Sequence, residues 1–168
     1  MSHHDSKVEA REELWEKIKE VQVAMMTTIQ PDGSLRSRPM WTQSEEGDFN
    51  GTIWFFTADE SAKVDEIEKD RAVNLSYAAR DKSVYVSVSG RAEVVTDRAK
   101  MKELWNPMAK AWFPDGLDTP ELCLLRIDVE KAEYWDENKP KLLELLDTVR
   151  AVVTGTRPDG GENEKLEV

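Results

Sequence analysis

The sequence is poor in the groups on which many catalytic and metal-binding mechanisms depend. Its 168 residues include one cysteine and two histidines, and both histidines, His3 and His4, stand beside the N-terminus. A Cys/His metal site is therefore not expected, nor is a hydrolase that uses histidine as its general base. The lone Cys123 cannot form an internal disulfide, and in the run Leu122-Cys123-Leu124-Leu125 it reads as a buried small hydrophobe rather than a nucleophile. No apolar stretch approaches the ~20 residues of a membrane span, and the first residues lack the apolar run of a signal peptide. A cytoplasmic protein without a membrane partner is the expectation. Cationic residues are outnumbered, 23 Lys and Arg against 34 Asp and Glu, for a net charge of −11. Nucleic acid is thus not an expected partner, because phosphate backbones call for basic surface. Any anionic ligand must be held by a few locally placed cations. Glycine-rich phosphate loops of the GxGxxG or GxxxxGK[ST] type are missing, as are repeats at solenoid spacing.

What is present suffices for one domain with a sizeable core: 39% apolar residues, six Trp and four Phe. Ser6 and Glu9 have capping-box spacing, and Leu14, Ile18 and Val21 follow at helical intervals, predicting a helix to about Glu20. Strands are expected over 23–29, 34–42, 52–57, 72–77 and 83–95, with Gln30-Pro31-Asp32-Gly33 turning the first hairpin. Ser61 can cap a short helix carrying Val64 and Ile67 on one face. A second helix is expected from Asp97 to about Trp112, with Met101, Leu104 and Met108 in one stripe and a kink or break at Pro107. Two further strands, Leu122 to Val129 and Ala132 to Trp135, precede a helix over Lys141 to Val153 and a polar tail. Consecutive hairpins favour an antiparallel barrel or sandwich over a doubly wound parallel sheet.

Arg36 and Arg38 lie two apart on a strand and so share one face, either as solvated side chains or as a cationic patch. Lys63 stands in the first turn of the Ser61 helix, where the helix dipole disfavours a cation and favours an anion. A bound phosphate would remove that conflict, with the hydroxyls of Thr57 and Ser61 close by in sequence. A flexible lysine directed into solvent is the alternative.

The runs Arg38-Pro39-Met40-Trp41-Thr42-Gln43, Trp54-Phe55-Phe56-Thr57-Ala58-Asp59-Glu60-Ser61-Ala62-Lys63, Gly90-Arg91-Ala92-Glu93 and Ala132-Glu133-Tyr134-Trp135 resemble the pyridoxamine 5′-phosphate oxidase superfamily. Met26-Thr27-Thr28, Ser37-Arg38-Pro39-Met40, Ala111-Trp112-Phe113-Pro114-Asp115-Gly116 and Glu133-Tyr134-Trp135 are similar to its general stress protein 26 branch. The resemblance runs in order over roughly residues 8–138.

It implies a mainly β fold with flanking helices, an antiparallel split β-barrel over residues 1–138; pattern and composition add the helix over 139–154 and a disordered tail over 155–168. It also implies a homodimer with FMN at the subunit interface. By that likeness Arg38 and Lys63 meet the phosphate together with Thr57 and Ser61, while Pro39, Met40 and Trp41 line the flavin ring. Phe56 precedes Thr57 in an aromatic-Thr pair, Tyr85 stands near the flavin, and Trp135 is either contributed by the other subunit or an ordinary core aromatic. Ala62 departs from the family's second basic residue and Gln43 from a lysine that contacts flavin and substrate. No match to the oxidase's arginine-rich C-terminal segment follows Trp135, so pyridoxamine phosphate oxidation is not expected. Two functions remain open: an FMN-dependent oxidoreductase of unknown substrate, and a non-catalytic flavin-binding stress protein that buffers FMN or reports its redox state.

Overall fold

The computed structural model describes residues 3–43, 45, 47, 49–136 and 162–167. Helix α1 (His3–Val21) leads into six antiparallel strands: β1 (Val23–Ile29), β2 (Leu35–Trp41), β3 (Thr52–Ala58), β4 (Ala72–Ala79), β5 (Val84–Val95) and β6 (Leu122–Asp136). A seventh, β7 (Glu162–Glu167), pairs with β6. The order across the sheet is β2-β1-β4-β5-β6-β3. Its two ends curl toward each other and meet in a single bridge, where the Gln43 N–H donates to the Trp54 carbonyl at 2.9 Å. The sheet is thus a barrel left open along one seam. Pro39 lies in β2, an edge strand in which its missing N–H costs no ladder bond.

Period-two patterning builds this sheet. β1 and β5 alternate buried and exposed positions along their length, so Ala24, Met26, Val84, Val86 and Val88 enter the core. Leu14, Trp15 and Ile18 of α1 cover one end of that core, and Trp15 stacks on Phe49 with ring centroids 5.1 Å apart. α1 stops at Gln22, whose φ of 66° is the left-handed conformation that ends a helix, and its N–H returns to the Ile18 carbonyl.

Several expectations are corrected. The two strands expected between Leu122 and Trp135 are one strand. The β5–β6 ladder skips Glu130, passing from the pair Gly90–Val129 to Ser89–Lys131, and this bulge bends β6 without breaking it. Gly90 is required there, because a Cβ would lie 2.3 Å from the Asp128 carbonyl oxygen. The helix expected over 97–112 is two helices, α3 (Arg98–Leu104) and α4 (Pro107–Trp112), capped by the side chains of Asp97 and Asn106. Pro107 cannot continue α3 but suits the first position of a new helix. The break turns Met108 outward while Met101 and Leu104 stay buried.

The tail expected to be disordered contributes β7. β3 leaves β6 after Asp128, and the exposed backbone groups of Lys131–Asp136 accept a further strand there. The helix expected over 139–154 lies outside the described residues.

Candidate functional site

A cavity of about 470 Å³ occupies the open seam. β2 supplies Pro39, Met40 and Trp41 from one edge, β3 supplies Phe56, Thr57 and Ala58 from the other, and helix α2 (Ala62–Lys69) contributes Lys63. Met108, Ala109, Trp112 and Phe113 close the third side from α4, with Val23 and Gln43 completing the wall. The cavity exists because, among the described residues, the two sheet edges are joined at one bridge alone, leaving aromatic side chains along both margins.

Its charged end has a definite order. Arg36 and Arg38 face the same side of β2, as the two-residue spacing requires, and their fates differ. Arg36 is exposed, whereas the Arg38 guanidinium donates to the Glu66 carboxylate at 2.7 Å and to the Thr28 hydroxyl. The Thr28 hydroxyl in turn donates to Glu66, closing a triangle in which the two ionic side chains retain 15% and 5% exposure. Burial opposes ionisation of Glu66, but the hydrogen bonds from Thr28 and Arg38 and the charges of Arg38 and Arg36 hold its pKa below the ordinary range.

Lys63 is the contrasting case. It is half-buried and lines the cavity, and among the described residues no carboxylate lies within ion-pair distance. Burial first, then the charges of Arg38 and Arg36, lower its pKa. An ammonium that is partly desolvated and surrounded by like charge is stabilised by an incoming anion. Ser61 occupies the N-cap of α2, yet its hydroxyl makes no capping bond; it lies 3.5 Å from the Thr57 hydroxyl beside the cavity. Cys123 pairs with Thr57 across β3 and β6 and is fully buried. Burial, then the Asp59 carboxylate, push its thiol up to about 11, so it stays protonated.

The structure therefore gathers Pro39, Met40, Trp41, Phe56, Thr57 and Lys63 around one cavity, with Ser61 adjoining. Arg38 is engaged with Glu66 and is not part of the cavity wall. Tyr85 and Trp135 lie outside that wall, directly opposite each other on β5 and β6. They share the sheet's convex face with Val23, Met25, Leu35 and Trp41. Sequence reasoning missed Glu66, Thr28, Met108, Trp112 and Phe113 as site components. The signal for Glu66 was its place one turn after Lys63, between the buried Val64 and Ile67, where a carboxylate needs a partner.

Comparisons with known proteins agree with this geometry. The family model described as "Pyridoxamine 5'-phosphate oxidase like" matches residues 9–159. Protein bli-3 of Neurospora crassa is 32% identical over 142 residues, covering 79% of this chain and 67% of its own. A general stress FMN/FAD binding protein from Xanthomonas citri superposes with a TM-score of 0.69 at 32% identity, over 79% of this chain and 92% of its own. A Jannaschia sp. CCS1 structure named for general stress protein 26 superposes with a TM-score of 0.72 at 25% identity, over 95% and 99%. The curled, mostly antiparallel sheet with flanking helices matches these split-barrel neighbours.

Proposed function

The chain belongs to the pyridoxamine 5′-phosphate oxidase-like family, and from that premise we propose that it is an FMN-binding flavoprotein of the general stress type, acting as an FMN-dependent oxidoreductase. The observation that carries the reading is Lys63: a half-buried, unpaired cation at one end of a cavity otherwise walled by Trp41, Phe56, Trp112 and Phe113. A planar aromatic ligand with an anionic tail suits such a site. FMN has that form, with its phosphate toward Lys63, Thr57 and Ser61 and its ring along Pro39, Met40 and Trp41. Its volume falls within the few hundred Å³ usual for ligand cavities. When bound, the flavin supplies the redox chemistry. The chain's own part is to fix the phosphate through Lys63, present an aromatic wall to the ring, and exclude water from the seam.

Arg38 acts in this reading through orientation. Two of its N–H groups are committed to Thr28 and Glu66, leaving three for an anion. Glu66 neutralises its charge, so Lys63 is the principal charge partner of the phosphate.

A homodimer belongs to the same proposal. The convex face carries exposed Val23, Met25, Leu35 and Tyr85 beside Trp41 and Trp135, a set that a second copy would cover. Trp41 and Val23 also line the cavity, so a second copy docked on this face would extend the wall of the site and could contribute its own Tyr85 and Trp135. A cytoplasmic setting accompanies the proposal, in keeping with a reduced, buried Cys123; no helix among the described residues is long and apolar enough to cross a membrane.

The deciding experiment is the absorption spectrum of the purified protein with mass spectrometry of the released ligand. A flavin spectrum with the mass of FMN supports the proposal, and colourless protein that takes up no added FMN overturns it. The second reading, a flavin buffer or sensor, is separated by turnover: repeated reduction by a nicotinamide cofactor and reoxidation by an added acceptor excludes it.

A further inference from the structure

Beside the seam cavity lies a second one of about 730 Å³, and the two share Trp41, Gln43 and Met108 in their walls. Their electrostatics are opposite. Among the described residues the first has Lys63 and no carboxylate in its lining; the second has Glu45 and Glu103 and neither lysine nor arginine. Lys100, outside this lining, bonds to Glu45 and lies 3.2 Å from Glu103, which leaves the three groups one negative charge in excess. Trp41 and Trp105 provide flat apolar surface, and Trp105 is itself braced edge-on against Phe56 with ring centroids 5.5 Å apart.

Gln43 stands at the junction. It is 5% exposed; its amide NH₂ donates to the Trp41 carbonyl at 3.0 Å, and its amide oxygen accepts from Asn106 at 2.6 Å. Asn106 is fully committed, since its oxygen caps Met108 and Ala109 and its NH₂ also reaches the Leu104 carbonyl. Among the described residues the second amide hydrogen of Gln43 has no acceptor. A buried donor at the border of two cavities favours a ligand that brings a carbonyl or ring acceptor to it.

We infer that the second cavity is the substrate site, and that it takes a planar aromatic molecule that is neutral or cationic, carries a hydrogen-bond acceptor for Gln43, and bears no phosphate or carboxylate. This rests on the reading of the first cavity as the flavin site, which would place such a molecule next to the flavin. A phosphorylated substrate finds no cation in this lining and meets two carboxylates instead.

The test is a charge series on one ring system: 1-methylquinolinium-3-carboxamide, quinoline-3-carboxamide and quinoline-3-carboxylate. Each is titrated calorimetrically into the FMN-loaded protein and the flavin-free protein, with flavin loading read by absorbance in the same samples. The cation and the neutral amide should bind to both forms, the cation at least about fivefold tighter than the carboxylate at low salt. Glu103→Gln, at an exposed position suited to a fold-neutral change, should bring the cation down to the neutral compound's affinity. Equal binding of carboxylate and cation overturns the inference, as does absence of binding, or loss of binding once FMN is loaded, which would place the ring in the first cavity. If the chain takes no flavin, the flavin reading fails by itself, and the charge series on the flavin-free protein still decides the second cavity.

Discussion

Along β1, β4, β5 and β6 alternate residues enter the barrel or leave it, and the two sets follow different rules. The inward set, Ala24, Met26, Leu75, Tyr77, Val86, Val88 and Tyr134, is buried and almost wholly apolar, and the Tyr77 phenol meets the Thr42 hydroxyl at 2.8 Å. The outward set mixes small polar residues, Thr27, Asn74, Ser76, Ser87 and Ser89, with Val23, Met25, Tyr85 and Trp135 at one margin. The first set secures the fold by excluding water. The second also carries Arg91, Glu93, Arg126, Asp128, Lys131 and Glu133 further along β5 and β6, so its apolar part is confined to the margin of Val23, Met25, Tyr85 and Trp135. Fold is thus written on one side of the sheet, an apolar margin stands on the other, and the cavity lies where the two sides meet at the seam.

This contrast can be broken from its strong side first. Phe55→Ala empties an inward position with no exposure and should cost about 3–5 kcal/mol, read as a shift of the denaturant midpoint at unchanged slope. Arg38→Ala should cost about 3 kcal/mol, because it strands the buried Glu66 carboxylate, so a change beside the cavity also weakens the fold. Lys63→Ala should separate the two properties: FMN should weaken by about 1.5–3 kcal/mol in titrations while riboflavin, which has no phosphate, changes little and the circular dichroism spectrum is retained.

A pH titration sharpens the same point. The Lys63 pKa lies below the ordinary value of 10.5. Between its folded value and 10.5 the unfolded chain holds more protons, so this residue's contribution to stability rises with pH. FMN affinity should fall over the same window as the ammonium is lost. Opposite trends, each taken as the difference between parent and Lys63→Met, are the expected result; parallel trends would place Lys63 away from the ligand. At the weak end, Ser87→Ala on the convex face should change monomer stability by under ~0.5 kcal/mol, whereas Ser87→Arg should shift sedimentation toward the monomer if that face joins two copies.

Much of the inward face was legible in the sequence because period two needs no tertiary knowledge: β1 runs over the residues expected, and Val84, Val86 and Val88 enter the core. Asp97 and Pro107 marked real boundaries, and of the kink or break expected at Pro107 the chain takes the break, because Asn106 caps a second helix. The continuity of β6 through Glu130 was hidden because a bulge leaves no local signature beyond Gly90 on the partner strand. β7 was hidden because Glu162–Glu167 has the composition of a solvated tail, and only the vacant margin of β6 gives it a ladder. At the site, Lys63 was legible from its conflict with the helix dipole. The pairing of Arg38 with Glu66 was not, since it depends on how α2 docks across β1 and β5.

The seam has a mechanical consequence. Among the described residues a single backbone bond, from Gln43 to Trp54, joins the two ends of the sheet, while every other strand is held by a full ladder. The barrel is therefore a spring clip rather than a tube: parting one rung widens the slot and leaves the ladders and core untouched. A molecule lodged there would be able to leave through a local opening of that one junction, without unfolding of the whole protein.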